Sequence, residues 1–214
     1  MSIKWIFFDV GSTLVNEDRA HKARFDAVSG EIKRISGKDI SFEEFCDIMT
    51  EGAGRGNKSP FSYALKKFGI SAKIPYFPDG EEPYPEAADV LAKLKPRYKL
   101  GVIANQPPCL DGRLKSYGLL DYFDALFGSG DVGLAKPDVE FYKYAINAVG
   151  CSPAEAVMIG DRLDNDVYPA KKAGMKTIRL LSSFFRTAEP ASKEEMPDFT
   201  VKTLSELPGI IAKM

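Results

Sequence analysis

Between Pro85 and Leu180 short runs of β-branched and apolar residues alternate with stretches of helical spacing. This spacing predicts a helix from Pro85 to Leu94, a strand from Lys99 to Ala104, a helix from Leu110 to Tyr117 and a short strand from Ala125 to Gly128. A helix from Val139 to Val149, a strand from Ala156 to Ile159, a helix from Asp166 to Ala173 and a strand from Lys176 to Leu180 continue the series. Residues 199–202 and 204–213 add an edge strand and a closing helix. Repeated βα units of this length require right-handed crossovers, which build a parallel sheet covered by helices on both faces. The run Trp5-Ile6-Phe7-Phe8 reads as one more strand of that sheet, buried on both sides.

Residues 17–70 differ in character, with many charges and almost no β-branched run. Phe25, Val28, Ile32 and Ile35 recur at helical steps, as do Phe42, Phe45 and Met49, and then Phe61, Leu65 and Phe68. Ser41 followed by Glu44 fits a capping box. A loop at 51–57 divides these helices, and the Pro- and Gly-containing stretch 74–80 returns the chain. The expected organisation is an α/β core over 1–15 and 81–214, with a helical module over 16–80 inserted after the first strand.

The chain has 214 residues, room for one full core and a small second module. A formal net charge of -1, with Lys and Glu interleaved, provides no field for nucleic acid and leaves only local charge to attract small anions. Cys46, Cys109 and Cys151 are an odd set without CxxC spacing, which argues against a disulfide framework or a zinc site. No signal-like segment opens the chain, and no apolar run approaches the ~18 residues of a membrane span. A reducing cytoplasmic location with no membrane partner is the expectation; the oligomeric state is not encoded legibly.

Four predicted strand ends carry polar groups: Asp9, Asn105, Lys136-Pro137 and the stretch Gly160-Asp161-Arg162-Leu163-Asp164-Asn165-Asp166. In a parallel sheet such ends converge, and ligands bind there. Asp9 alone would serve equally well as a turn residue, and one acid in the later stretch as a helix cap. Three carboxylates within six residues exceed what capping needs. Clustered carboxylates suit a hard, oxygen-ligated cation such as magnesium, and Lys136 adds positive charge. A calcium loop starting at Asp161 fails, because its sixth position is Asp166 where glycine is required and its twelfth is Lys172 where glutamate is required.

This combination resembles the haloacid dehalogenase superfamily of hydrolases over essentially the whole chain. Asp9-Val10-Gly11-Ser12-Thr13-Leu14 matches the family's first motif, D-x-D-x-T, at its nucleophile and its threonine. Asn105 ends the second strand, Lys136-Pro137 matches the third-motif lysine, and Gly160-Asp161 through Asp166 matches G-D-x-x-x-x-D. The resemblance implies a Rossmann-like parallel α/β core with an inserted helical C1 cap. It also implies a phosphatase acting on a small phosphorylated metabolite. Asp9 would attack phosphorus and form an aspartyl phosphate; Lys136 would pair with Asp9 and the phosphoryl oxygens; Ser12 and Asn105 would help cradle those oxygens. Magnesium would sit between Asp9, the Gly11 carbonyl and Asp161, with Asp166 holding the site directly or through water.

Two departures stand out. Gly11 occupies the position of the family's second aspartate, whose acid/base help is worth roughly 10²–10⁴-fold. Ala104 replaces a hydroxyl that would bond a phosphoryl oxygen. The alternatives are therefore a substrate with a good leaving group, a proton donor from the helical module, or a non-catalytic phospho-ligand or protein-binding module. Phosphonatases and haloacid dehalogenases of the superfamily also lack that aspartate, and Lys22, Lys33 and Lys58 are the lysines a phosphonatase could use.

Weaker signals receive plainer expectations. His21, the only histidine, and Arg19 read as solvated helix residues. Gly128-Ser129-Gly130-Asp131-Val132-Gly133 matches GxGxxG but runs into Lys136 before any long helix, so it reads as the loop presenting that lysine. The loop around Gly54, Arg55 and Gly56 reads as a helix connector, and Phe184-Phe185 as packing for the closing segment.

Overall fold

A computed structural model describes residues 2–214. The chain divides into two compact units, one of residues 1–15, 83–182 and 190–214, the other of residues 16–82 and 183–189.

The larger unit is built on a six-stranded parallel sheet. Its strands are β1 (Trp5–Phe8), β2 (Lys99–Ala104), β3 (Ala125–Gly128), β4 (Ala156–Gly160), β5 (Lys176–Leu180) and β6 (Phe199–Val201). Their spatial order is β3-β2-β1-β4-β5-β6. Phe8 of β1 lies opposite Val102 of β2 on one side and Ile159 of β4 on the other. This is a Rossmann-like α/β fold, and the strand order reverses beside β1. The crevice beyond the carboxyl ends of β1 and β4 is where such sheets place ligands.

Alternation along β1 splits the core into two apolar layers. Ile6 and Phe8 join Leu91, Leu94, Val102 and Ile159 on one face. Phe7 joins Ile103, Phe141, Tyr142 and Met158 on the other. Gly101 is a glycine because a Cβ there would come within 2.6 Å of the Phe7 ring. Helix α4 (Ala87–Leu94) packs its apolar stripe of Ala87, Val90, Leu91 and Leu94 inward, and α5 (Val139–Ala148) does the same with Phe141, Tyr142, Ala145 and Ile146.

The smaller unit holds helices α1 (Asp18–Ser36), α2 (Phe42–Gly54) and α3 (Pro60–Lys67). Phe25, Val28, Ile32, Phe45, Met49, Phe61 and Leu65 form its core, as their spacing predicts. Ile35, in the same series, lies in the last turn of α1 and is 45% exposed. The Ser41–Glu44 capping box is present, with the Glu44 N–H 3.1 Å from the Ser41 hydroxyl and the Ser41 N–H 2.7 Å from the Glu44 carboxylate. Residues 183–189, expected with the core, group with this unit because Phe184 packs against its apolar cluster and against the His21 ring, centroids 5.0 Å apart.

His21 is correspondingly not a solvated residue. Its ring lies between Phe184 and Tyr76, and its Nδ1 is sealed from solvent without a hydrogen-bond partner. Among the described residues, no helix is long and apolar enough to cross a membrane.

Candidate active site

The ends of β1 and β4 bring the acidic residues together. Asp9 extends the β1–β4 ladder by one bond, its N–H donating to the Ile159 carbonyl at 2.9 Å, which aims its side chain beyond the sheet. The chain then turns sharply. The N–H groups of Leu14 and Val15 converge on the Val10 carbonyl at 2.9 and 3.0 Å, and Ser12 takes a left-handed conformation with φ 53°. The Ser12 carbonyl accepts a hydrogen bond from the Ser182 hydroxyl. Thr13 is fully buried, and its hydroxyl lacks a partner.

After β4, Gly160 and Asp161 lead into a single π-helical turn over Leu163–Val167 and then α6 (Tyr168–Lys172). Extra-residue turns of this kind re-aim side chains at functional sites. Asp166 is turned back beneath the strand end, where its Oδ2 accepts the Arg162 N–H at 3.0 Å. Two further contacts steady the turn: the Tyr142 hydroxyl donates to the Asn165 carbonyl, and Arg162 pairs with Asp164 at 2.8 Å. Buried Arg179 donates from Nε to the Asp161 carbonyl at 3.4 Å.

Lys136 reaches the same place from the loop after β3. Its ammonium lies 2.7 Å from Asp9 Oδ1 and 2.7 Å from Asp166 Oδ1, and its side chain is 2% exposed. Burial opposes the Lys136 charge, yet the pull of Asp166 and Asp9 outweighs burial and holds the ammonium above its ordinary range. For Asp166, burial is the larger effect; with repulsion from Asp9 it outweighs the attraction of Lys136 and pushes the carboxyl above the usual carboxylate range.

The loops after β2 and β3 are stitched together beneath Lys136. The Asn105 side chain accepts the Lys136 N–H and donates to the Lys136 carbonyl, both at 2.8 Å. Ser129 Oγ accepts the Gln106 N–H and donates to the Gln106 carbonyl, both at 3.1 Å. Asp131 accepts the Cys109 N–H at 3.0 Å. The GxGxxG match is thus part of this seam: a Cβ on Gly130 would come within 2.5 Å of the Pro108 nitrogen.

Asp9, Asp161 and Asp166 each offer a carboxylate oxygen within 4.8 Å of the others. The donor set is entirely oxygen and lies beyond the carboxyl ends of two central strands, which fits a hard divalent cation better than a soft metal. Of the residues singled out in the sequence, Asp9, Lys136, Asp161 and Asp166 converge here, and Asn105 meets them through Lys136. Ser182, Arg179 and Tyr142 were missed. Nothing in their local sequence marks them; each acts through a main-chain carbonyl or a fold contact far away in the chain.

The chain is similar in sequence and fold to known proteins. A family model described as haloacid dehalogenase-like hydrolase matches residues 3–174. Glyceraldehyde 3-phosphate phosphatase of Methanocaldococcus jannaschii is 31% identical over 99% of this chain and 98% of its own length. Phosphoserine phosphatase of Thermus thermophilus is 35% identical over 58% of this chain and 49% of its own length. The crystal structure of a phosphatase of the same superfamily from Thermococcus onnurineus matches 98% of both chains with a TM-score of 0.66 at 29% identity.

Proposed function

The chain belongs to the haloacid dehalogenase-like hydrolases, and from that membership we propose that it hydrolyses a small phosphorylated metabolite of triose phosphate size, with Asp9 as nucleophile and magnesium as cofactor. The observation that carries the reading is the bridge from Lys136 to both Asp9 and Asp166 beside Asp161. It fixes the direction of the Asp9 side chain, which is 13% exposed, against a buried ammonium. The similarity to glyceraldehyde 3-phosphate and phosphoserine phosphatases supports the substrate class.

In this reading a carboxylate oxygen of Asp9 attacks phosphorus in line, the bond from phosphorus to the leaving oxygen breaks, and an aspartyl phosphate forms. Water then attacks that phosphorus, inorganic phosphate departs and the Asp9 carboxylate is regenerated. Lys136 holds Asp9 and offsets charge on the phosphoryl oxygens. The main-chain N–H groups of Ser12 and Asn105 orient those oxygens, as clustered amides do for anions. Asp9, Asp161, Asp166 and the Gly11 carbonyl would hold the metal, with Asp166 acting directly or through water. Bound there, magnesium supplies positive charge to the phosphoryl oxygens. Gly11 has no proton to give, so the leaving oxygen departs as an anion, which suits a substrate whose leaving group is good.

The deciding assay is magnesium-dependent release of phosphate from glyceraldehyde 3-phosphate, phosphoserine, acetyl phosphate and p-nitrophenyl phosphate by the wild type and by Asp9→Asn. Turnover by the wild type that Asp9→Asn abolishes supports the hydrolase. Binding of these compounds without turnover of any would mark a phospho-ligand module, the reading that Gly11 favours. Halide release from a haloacid without magnesium would replace both.

A further inference from the structure

We propose that Asn105 is a positioning residue that acts through Lys136, by clamping the main chain of that lysine on both of its polar groups. The amide of Asn105 has one rigid plane, and both of its ends meet the same residue: Oδ1 accepts the Lys136 N–H and Nδ2 donates to the Lys136 carbonyl, each at 2.8 Å. Only one orientation of the amide satisfies this pair, so donor and acceptor are assigned by the contact itself. Two bonds from one planar group fix both the position and the tilt of the peptide units they hold.

What is clamped matters because of its reach. Lys136 carries its charge at the end of a flexible stem, and the ammonium must meet Asp9 and Asp166 simultaneously, each at 2.7 Å. Those carboxylates belong to other loops, so where the Lys136 backbone sits decides whether its side chain reaches both. The seam beside the clamp is already rigid. Ser129 and Gln106 exchange two bonds, and the Gly130 N–H adds a third to the Gln106 carbonyl at 2.9 Å. In that seam the Asn105 side chain hydrogen-bonds Lys136 directly, and it transmits the position of the β2 end to the ammonium bridge.

The inference rests on the hydrolase reading above, and it deepens the role of Asn105 beyond that of an amide near the phosphoryl group. Asn105→Leu keeps the side-chain size and removes both bonds. Its kcat falls about tenfold or more with KM within about twofold, because a displaced ammonium disturbs the Asp9 attack geometry more than ground-state binding. An unchanged kcat, or a loss confined to KM, overturns the proposal in favour of no role or a direct contact with substrate. Amide hydrogen exchange decides the matter independently of turnover. The Lys136 N–H is slow in the wild type and at least about tenfold faster in Asn105→Leu, while amides of α5 keep their wild-type rates. Equal Lys136 exchange in the two proteins overturns the clamp; failure of the wild type to turn over any substrate overturns the hydrolase reading and leaves the exchange result standing.

Discussion

Gly160 and Asp166 compete for one volume: a methyl group on Gly160 would lie 2.3 Å from Asp166 Cγ and 2.5 Å from its Oδ2. The strand therefore ends in glycine so that a carboxylate can fold back against it. Gly160→Ala drives Asp166 off Lys136, and overpacking of this kind costs about 1–3 kcal/mol. Urea unfolding measures that loss, and phosphate release should fall by at least about tenfold. A variant with wild-type stability and rate would mean that Asp166 moves freely.

The Lys136 bridge predicts an asymmetry between its partners. Lys136→Met leaves Asp166 buried without its cation, and breaking a buried pair from one side costs about 3–5 kcal/mol. Asp9→Asn leaves Lys136 paired with Asp166, so its stability cost stays below about 1.5 kcal/mol although hydrolysis is lost. Denaturant melts of both variants check the order; equal losses would refute the bridge as drawn.

Magnesium at one hundred times its dissociation constant should stabilise the chelator-treated protein by about 2.7 kcal/mol. For a chain of this size that raises Tm by roughly 5–10 °C. Asp161→Asn should abolish most of the increment, read by calorimetry with and without the ion. No shift in the wild type would count against the carboxylate trio as a metal site.

Gly11→Asp restores a titratable group two positions after the nucleophile. On a substrate with a poor leaving group it should raise kcat by as much as 10²–10⁴-fold, and on acetyl phosphate, whose leaving group needs no proton, it should change little. Parallel assays of the two substrate classes test this; a uniform gain on both would show that leaving-group protonation is not what Gly11 forfeits.

His21 makes stability depend on pH in a way one residue can report. Burial, with some help from the Arg24 charge, lowers its pKa to about 4 from an ordinary 6.5. Between those values the unfolded chain binds a proton that the folded chain refuses, so stability is lost as pH falls from about 6.5 toward 4. From pH 7 to pH 5 the loss is about 2 kcal/mol. His21→Leu should remove this slope, and it should not weaken the protein at pH 7 by more than its lost ring contacts, since the buried Nδ1 has no partner to lose. Parallel slopes for the two proteins would mean that His21 titrates normally.

The parts legible in the sequence are those encoded by short-range pattern. Alternating β-branched runs and helical stripes gave the parallel sheet and the three helices of the smaller unit, and strand ends gave Asp9, Asp161, Asp166 and Lys136. Contacts that join distant residues were not legible. Nothing around His21 announces Phe184, which lies far downstream in the chain, so a lone helical histidine reads as solvated. The π-helical turn at Leu163–Val167 was hidden too, because helical periodicity does not report one extra residue. Asn105 was noticed for its place at a strand end, but its bond partners depend on where the next loop passes.

The return of residues 183–189 to the helical unit means that this unit is discontinuous in sequence, entered by the chain twice. It cannot be exchanged as a cassette. Excising 16–82 would strand Phe184 without the helices it packs against, and grafting 16–82 elsewhere would leave their apolar cluster short of one aromatic lid. An exchange that keeps this cluster whole has to move two segments together, the helices and the stretch after β5.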